Sequence, residues 1–317
     1  MTFNSGARQM KRIAMLAEVR NRALDPLYDL PQAFDRLLYV NDVIFDPIDA
    51  AQLLLSTNRG TNGKANYLAA CAIDFINPFK FYDTYASRDL EGYSMGVPFY
   101  PWFSSAGHAR SRRDVLAESD AVRVKSCWGG MVAFDAQYFQ GRKTDSNGKP
   151  QNKTVVRFRS SDETYWEASE CCLIHADLAV AANRVSLDRD AGIYVNPYIR
   201  TAYDESTYGW LPYVRRPEYL FAYAQAFVNW IAGLPFSNPR RKHRPGQHVN
   251  QWVWDDMATP TQSVTTLAQG AWSNITRIAK PGGFCGLRQL AVMTNRPSGP
   301  RWTLLDVPSL PAGASEK

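Results

Sequence analysis

The clearest pattern in the chain is a short apolar run that ends in polar residues. Residues 37–40 are apolar or aromatic, and Asn41 and Asp42 follow them directly. Such a run predicts a fully buried strand of the kind found in parallel sheets. Asp46 and Pro47 come next and are typical of the N-cap and first position of a helix. The pattern therefore places Asp42 at the carboxyl end of a buried strand, where open α/β sheets bind ligands. An aspartate that only caps a turn is an equally good interpretation.

Alternating apolar and polar stretches predict the remaining elements. Helical spacing predicts helices at 8–27, 47–55, 170–184 and 219–234, the last of them packed into the protein. Continuous apolar runs predict strands at 67–73, 122–126, 131–134, 154–158 and 193–195. Long polar or aromatic loops fill 75–113 and 140–153. Strands that alternate with helices predict an α/β fold with a largely parallel sheet.

Polar residues or glycines stand at the ends of several predicted elements. Asp74 ends the strand at 67–73, and Asp135 ends the strand at 131–134. Gly129 and Gly130 interrupt strand-like sequence, which indicates that a ligand or another backbone approaches closely there. Glu170 begins a predicted helix, with Ser169 before it as a suitable N-cap.

Composition limits the function classes without choosing one. The 317 residues are 45% hydrophobic and 21% charged, which predicts a folded chain of one or two domains. Aromatic residues reach 13%, and such rings serve both carbohydrate sites and cores. The net charge of +6 is compatible with nucleic acid, a membrane surface or an anionic nucleotide-sugar.

The cysteines and the sequons bear on the compartment. Five cysteines show no CxxC spacing, so a structural zinc site is not expected, and their disulfide pairing stays open. Asn152 and Asn274 begin sequons that would be usable in the secretory lumen. Polar and basic residues follow Met1 closely, so we expect neither a signal peptide nor a spanning helix at the start.

Several segments, taken in order, resemble one family. They are AEVRNR at 17–22, VNDVIF at 40–45, ACAIDF at 70–75, FYDTYASRD at 81–89, CWGGMVAFD at 127–135, SECCL at 169–173 and YVNP at 194–197. Each segment alone is unspecific, but the ordered set resembles the fungal cryptococcal-type α-1,3-mannosyltransferases. These are the capsule-associated proteins of glycosyltransferase family 69, and the resemblance covers about residues 8–215.

The resemblance implies a glycosyltransferase with a GT-A-like α/β fold, a mixed and mostly parallel sheet flanked by helices. It implies one domain over 1–317, with the core at about 8–215 and a C-terminal extension at about 216–317. Mannose would pass from GDP-mannose to a glycan acceptor hydroxyl, as an α-1,3 linkage with retention, with a divalent metal such as Mn²⁺. Relatives of this family carry a membrane anchor and further N-terminal strand–helix units, and we expect this chain to lack both. A Golgi or secretory location is also implied.

The resemblance assigns roles residue by residue. Asn41 and Asp42 stand where such enzymes carry Asp-x-Asp, so Asp42 is the predicted metal ligand, as the single carboxylate of this motif. The predicted donor-site residues all lie in segments that resemble the family. They are Arg20, Asn21, Asn41, Trp128, Gly129 and Gly130. Glu170 is the predicted acid–base or oxocarbenium-stabilising group, with Asp74 and Asp135 as secondary candidates.

Plainer interpretations of these residues remain open. Arg20 fits a surface helix arginine equally well, Trp128 fits core burial, and Glu170 fits a first-turn glutamate favoured by the helix dipole. At the level of function, the alternative is a catalytically inactive carbohydrate-binding or scaffold protein on the same fold. The basic stretch at 240–248 suits a solvated loop better than an anionic partner. Nucleic-acid binding ranks last, because no aromatic-interleaved basic stripe supports it.

Overall fold

The computed structural model describes nine stretches of the chain, which are 9–30, 32–140, 142–144, 150–152, 155–185, 190–236, 238–256, 270–294 and 301–314. Within them the helices are α1 Arg12–Leu24, α2 Pro26–Asp29, α3 Pro47–Ser56, α4 Arg110–Leu116, α5 Glu170–Ala181, α6 Glu205–Val214 and α7 Phe221–Ile231. The strands are β1 Arg36–Val40, β2 Ala69–Asn77, β3 Lys80–Phe81, β4 Arg88–Asp89, β5 Val122–Ser126, β6 Met131–Asp135, β7 Arg142–Thr144, β8 Pro150–Asn152, β9 Trp166–Ala168, β10 Ile193–Ala202, β11 His248–Asp255, β12 Ala271–Ile278, β13 Gly286–Arg288, β14 Leu290–Met293 and β15 Trp302–Leu305.

A seven-stranded mixed sheet forms the centre of the protein. Its order is β1-β6-β2-β10-β5-β4, and β3 pairs with β2 beside this path. Strand β2 runs parallel to β10, whereas β6 is antiparallel to both β1 and β2, and β5 is antiparallel to β10. The α/β class is confirmed, but the prediction of a mostly parallel sheet is wrong. Strands β1, β2 and β10 do run in one direction, and β5 and β6 pair with them in the opposite direction.

Strand β1 lies at the edge of this sheet and is not fully buried as predicted. It pairs with β6 on one side, and its residues are half-buried or exposed. The apolar run that suggested an interior strand is partly buried on both faces, with Leu37 and Tyr39 against one buried cluster and Leu38 against another, and Tyr39 contacts the ring of Trp128. The helix that follows begins as predicted, because Asp46 caps it by accepting a hydrogen bond from Ile48 N at 2.8 Å.

Helices cover the sheet on both faces. Residues of β2 alternate between two buried clusters, with Cys71 and Ile73 in one and Ala70 and Ala72 in the other. Helices α1 and α5 contribute to the first cluster, and α3 contributes Leu53 to the second. This alternation is the period-two pattern of a strand with a core on each side.

Several predicted elements match closely, and others do not. Strand β5 has the predicted bounds, and α5 begins at the predicted Glu170. Residues 155–158 are described but form no strand, and the predicted loop at 75–113 contains β3, β4 and the start of α4. The predicted packed helix at 219–234 is also wrong in its burial, since α7 exposes most of its apolar side chains. The predicted loop at 140–153 contains β7 and β8, which pair antiparallel, and its residues 141, 145–149 and 153 lie outside the described part of the chain.

Segments near the C-terminus pack against the central part of the chain. Strand β13 pairs with β9, and a disulfide joins Cys172 to Cys285. A second disulfide joins Cys71 to Cys127.

The basic stretch at 240–248 is partly structural, because Arg240 is buried over Trp166 and pairs with Glu163 at 2.7 Å. In the described part of the chain, no helix combines the length and apolar character needed to cross a membrane.

Candidate functional site

Arg20 connects residues that lie far apart in the sequence. From α1, its Nε donates to Oε1 of Glu170 at 3.0 Å, and its Nη1 donates to Oδ1 of Asn41 at 3.3 Å. The side chain of Glu170 is only 3% exposed, so the ion pair is largely removed from water. A charge-assisted pair in such surroundings fixes the positions of both partners. Three predicted site residues, from α1, the end of β1 and the start of α5, therefore meet at one point.

Aromatic rings enclose the Arg20 guanidinium. Its Cζ lies 4.3 Å from the ring centroid of Trp128, 5.5 Å from Tyr39 and 5.8 Å from Phe158. Trp128 is 2% exposed, so this predicted donor-site residue is buried and packs against the arginine. Such cation–π contacts stabilise a guanidinium that has lost most of its water. Trp128 thus holds Arg20 in place and does not line the surface of the site.

The Asn41–Asp42 turn leaves β1 beside the glycine pair. Asn41 N donates to Gly130 O at 2.9 Å, and Ile44 N donates to Ala202 O at 2.8 Å, so the turn lies between β6 and β10. Asp42 itself is exposed in a bend and makes no hydrogen bond or ion pair with another described residue. Asp42 can belong to the candidate site only if its bend lies near Trp128 and Glu170. Asn41, the residue before Asp42, bonds to Gly130 and to Arg20, and Arg20 in turn contacts Glu170 and Trp128, so the turn begins beside these residues.

The glycine pair is explained by neighbouring protein atoms. A Cβ on Gly129 would lie 1.9 Å from Ala72 O, and its φ is +65°. A Cβ on Gly130 would lie 2.7 Å from Val43 Cγ1, and its φ is +70°. Only glycine adopts this left-handed backbone readily, and only glycine fits against β2. Of the two predicted reasons for the glycines, the approach of another backbone applies at Gly129.

Asp74 lies inside β2 rather than at its end and belongs to a buried polar group. Its Oδ2 accepts a hydrogen bond from Tyr203 Oη at 2.9 Å, and its Oδ1 accepts one from Asp83 N at 3.1 Å. Burial raises the pKa of Asp74 to about 7, and the neighbouring Asp83 carboxylate adds to this rise. Burial likewise raises the pKa of Asp83 to about 6, with the charge of Glu170 acting in the same direction and that of Arg20 against it. Near neutral pH this pair can therefore hold a proton.

Asp83 and Tyr203 are residues that sequence reasoning missed as members of the site. Asp83 bonds to Asp74 through its main-chain N, and the charges of Glu170 and Arg20 act on its pKa, so it is electrostatically linked to the Arg20 ion pair. The sequence signal for Asp83 is its place in the FYDTYASRD segment, which resembles the family but assigns this residue no role. Arg88 of the same segment is structural, since it donates to main-chain oxygens of Tyr85, Ser87 and Phe284.

Two predicted residues lie apart from the Arg20 contacts. Asp135 pairs in register with Arg36 at the start of β1, whereas Met131 pairs with Val40 at its end. Because β6 is antiparallel to β1, Asp135 lies at the opposite end of the strand from Asp42. Asn21 pairs with the main chain of Phe158, donating to its O and accepting from its N at 2.9 Å each. The structure therefore places Asn21 as a brace between α1 and the 155–158 segment.

The donor atoms near Asp42 limit the kind of metal site that it can form. Among the described residues, the cluster of possible metal ligands comprises Cys71, Cys127 and His175, and its two sulfurs form a disulfide. Asp42 thus offers one exposed carboxylate and belongs to no group of three or more such ligands among the described residues. One carboxylate suits a magnesium-like ion that takes its other ligands from phosphate and water.

Over residues 1–177 the sequence matches the model of a protein family described as cryptococcal mannosyltransferase 1. No curated protein matches the chain, and no solved structure matches it. The matched region includes α1, the Asn41–Asp42 turn, the glycine pair and the start of α5.

Proposed function

Because this chain belongs to the cryptococcal mannosyltransferase 1 family, we propose that it transfers mannose from GDP-mannose to a hydroxyl of a glycan acceptor. The observation that supports this most directly is the Arg20–Glu170 ion pair with Asn41 beside it. It gathers a carboxylate, a cation and an exposed aspartate turn from three separate elements. Sugar transfer from a nucleotide needs these groups, an acid–base or charge-stabilising group and partners for a diphosphate.

Glu170 is the residue proposed to act at the reacting sugar. During transfer the bond between mannose C1 and the diphosphate oxygen breaks, and a bond from the acceptor oxygen to C1 forms. The acceptor hydroxyl loses its proton, and a positioned carboxylate can accept it or stabilise the positive charge that develops on the sugar. Arg20 holds the Glu170 side chain in place, and the first turn of α5 favours a negative charge there.

The diphosphate is proposed to lie beside the Asn41–Asp42 turn. Asp42 would hold a divalent cation such as Mn²⁺ together with oxygens of the diphosphate, and this cation would stabilise the charge on the departing GDP. Arg20 uses Nε and Nη1 within the protein, which leaves Nη2 as the atom proposed to contact a phosphate oxygen. Trp128 and the glycine pair support this arrangement by fixing Arg20 and the turn.

Three further features of the proposal follow the family. The product linkage is proposed to be α-1,3 with retention of configuration, and the acceptor is a glycan. A secretory location is proposed as well, and two observations support it. The chain contains two disulfides, which form in oxidising compartments, and Asn274 of a sequon is exposed on β12.

Calorimetry with GDP-mannose tests the donor site. We expect binding by the unmodified chain that strengthens when Mn²⁺ is added, and that Asp42→Asn reduces this metal-dependent part at least tenfold. Asp120→Asn is the matched control, since Asp120 is another exposed aspartate in a turn. No binding of GDP or GDP-mannose with Mn²⁺ present would contradict the proposal. Saccharide binding without nucleotide binding would instead favour a carbohydrate-binding protein on this fold.

A further inference from the structure

Helix α7 has its polar residues inside and its aromatic residues outside. Gln225 and Asn229 are buried, whereas Tyr223 is 81% exposed and Trp230 is 78% exposed. This is the reverse of the pattern that a surface helix of a globular protein normally shows. The helix contains no charged residue, so the face that it presents to solvent is apolar and aromatic.

The buried face of α7 is held by hydrogen bonds that fix its orientation. Gln225 Nε2 donates to Val97 O at 3.1 Å, and Asn229 Oδ1 accepts from Val97 N at 2.6 Å. Arg112 of α4 donates to Gln225 Oε1 and, at 3.0 Å, to Ala222 O. Turning the helix to bury its aromatic face would break these bonds and leave several polar groups unpaired. The outward direction of the rings is therefore part of the fold.

The exposed apolar side chains form a stripe along one side of the segment, which we call the aromatic ridge. It consists of Tyr219, Leu220, Tyr223, Phe227, Trp230 and Ile231, each more than half exposed, and its successive turns are three or four residues apart, as from 219 to 223, 223 to 227 and 227 to 230. Spacing of this kind places the residues on one face of a helix. An exposed apolar patch of this extent marks an interaction surface.

The composition and the charges around the ridge fit a membrane surface. Tyrosine and tryptophan, with apolar bodies and polar tips, are the residues that concentrate at the boundary between lipid and water. Glu218 is the one carboxylate in the sequence from 215 to 236, and Arg200 pairs with it at 2.6 Å. Arg216 before the ridge and Lys242 and Arg244 after it are exposed. The sequence on either side of the ridge thus carries exposed cations, which complement anionic lipid headgroups.

We propose that the aromatic ridge docks this protein onto the surface of a lipid bilayer that carries anionic lipid. Helix α7 has 11 residues. At about 1.5 Å per residue it is far shorter than the roughly 30 Å of a hydrocarbon core, so it lies along the interface and does not span it. Its rings enter the headgroup region, while Gln225 and Asn229 stay bonded to the protein. This docking does not depend on the sugar-transfer proposal.

Vesicle sedimentation of the full chain tests the docking. The probes are vesicles of phosphatidylcholine alone and vesicles of phosphatidylcholine mixed with phosphatidylserine. The ridge variant is Tyr223→Ser with Phe227→Ser and Trp230→Ser, and it should fold because all three side chains are exposed. The matched control is Leu55→Ser with Ile278→Ser and Leu304→Ser, three exposed apolar residues outside the ridge.

We expect the unmodified chain to bind the mixed vesicles more tightly than phosphatidylcholine alone. We also expect the ridge variant to lose at least tenfold in partitioning while the control keeps it. Absence of vesicle binding by the unmodified chain would overturn the proposal, and so would equal binding by the two variants. A dimer in sedimentation velocity that only the ridge variant abolishes, without vesicle binding, would assign the ridge to a second copy and also overturn it.

Discussion

At the scale of single residues, the Arg20–Glu170 pair is the interaction on which the candidate site depends. Both side chains are largely buried, so each needs the other's charge to offset the water that it has lost. Removing one partner of such a pair leaves an unpaired buried charge, which costs more than the pair itself contributes. The positions of Glu170 and Asn41 both follow from this one arginine.

Replacing Arg20 by alanine should therefore destabilise the protein. We expect Arg20→Ala to lower the free energy of unfolding by about 3–5 kcal/mol, because Glu170 loses its ion pair and Trp128 loses its cation. Arg22→Ala, two residues away, is the matched control. Its pair with Glu18 is exposed and spaced i, i+4, so we expect a loss of about 0.5 kcal/mol or less. Denaturant unfolding measures both, and equal losses would contradict the assigned burial.

Asp74 predicts a pH dependence of stability. Burial raises its pKa to about 7 in the folded state. The folded protein then binds more protons than the unfolded chain between about pH 4 and pH 7, so stability falls as the pH rises through this window. We expect the free energy of unfolding to decrease by about 2 kcal/mol or more from pH 5 to pH 8.

Asp74→Asn checks the origin of this dependence. The amide cannot ionise but keeps an oxygen that can accept from Asp83 N, so the share of the decrease that belongs to Asp74 should disappear. The decrease that remains belongs to groups such as Asp83 and Asp89, whose pKa values burial also raises, to about 6 and about 7. The measurement is denaturant unfolding of both proteins across the range. Parallel curves for the variant and the unmodified chain would assign the pH dependence to other groups.

At the scale of elements, the connection between β5 and β6 decides where the site lies. It carries the chain from one side of the β2–β10 pair to the other and brings Gly129 against the main chain of β2. Thr201 Oγ1 donates to Gly129 O at 3.2 Å, which attaches the connection to β10. Next to it, Gly130 O accepts a hydrogen bond from Asn41 N, which attaches the Asn41–Asp42 turn to the connection. The shape of this connection fixes the turn that carries the predicted metal ligand.

Gly129→Ala should disrupt the connection, because the new Cβ would lie 1.9 Å from Ala72 O and the backbone has a positive φ. We expect a loss of at least about 3 kcal/mol, since a clash with main chain adds to left-handed strain. Gly209→Ala in α6 has nothing within 4 Å of its Cβ and should gain about 0.5–1 kcal/mol. Thermal unfolding compares the two, and a neutral Gly129→Ala would show that the connection is displaced from this position.

The sequence predicted the positions of elements better than their pairing and burial. Strand β5, helix α3 and the start of α5 follow from local patterns, and the structure has them where predicted. The antiparallel direction of β5 and β6 was missed, because strand direction depends on partners distant in the chain. The burial of α7 was predicted wrongly for a related reason. Its apolar residues are normal for a core helix, and only the distant Val97 and Arg112 show which face is inside.

Within the candidate site, the same limit applies. The sequence singled out Arg20, Asn41 and Glu170, and the structure brings them into contact. The sequence pattern assigned no role to Asp83, because a carboxylate in a loop carries no periodic signal. Asp135 was selected by its place after a strand, and the antiparallel direction of that strand carries it to the other end of β1.

At the scale of the whole molecule, two disulfides join distant parts of the chain. Cys71–Cys127 closes a sequence separation of 56 residues, and Cys172–Cys285 closes one of 113. The second links the base of α5, next to Glu170, to the C-terminal segment. Five cysteines without regular spacing allow many pairings, so the sequence alone left the connectivity open.

Removing either disulfide should destabilise the fold. We expect Cys71→Ala with Cys127→Ala, and separately Cys172→Ala with Cys285→Ala, to lower the free energy of unfolding by about 2–4 kcal/mol each. Cys171→Ala is the control, because Cys171 is buried but free. Addition of a reductant should lower the free energy of unfolding of the unmodified chain toward that of the double variants. No effect of the reductant on the unmodified chain would contradict the assigned bonds.

The central claim is that Glu170, held by Arg20 beside the Asn41–Asp42 turn, carries out mannose transfer. Its most direct test is release of GDP from GDP-mannose with Mn²⁺ and a mannan acceptor, comparing the unmodified chain with Glu170→Gln and with Glu167→Gln, a second buried glutamate three residues away. We predict turnover by the unmodified chain and by Glu167→Gln, and a decrease of about 10²-fold or more for Glu170→Gln. Equal turnover by the two variants would contradict the account.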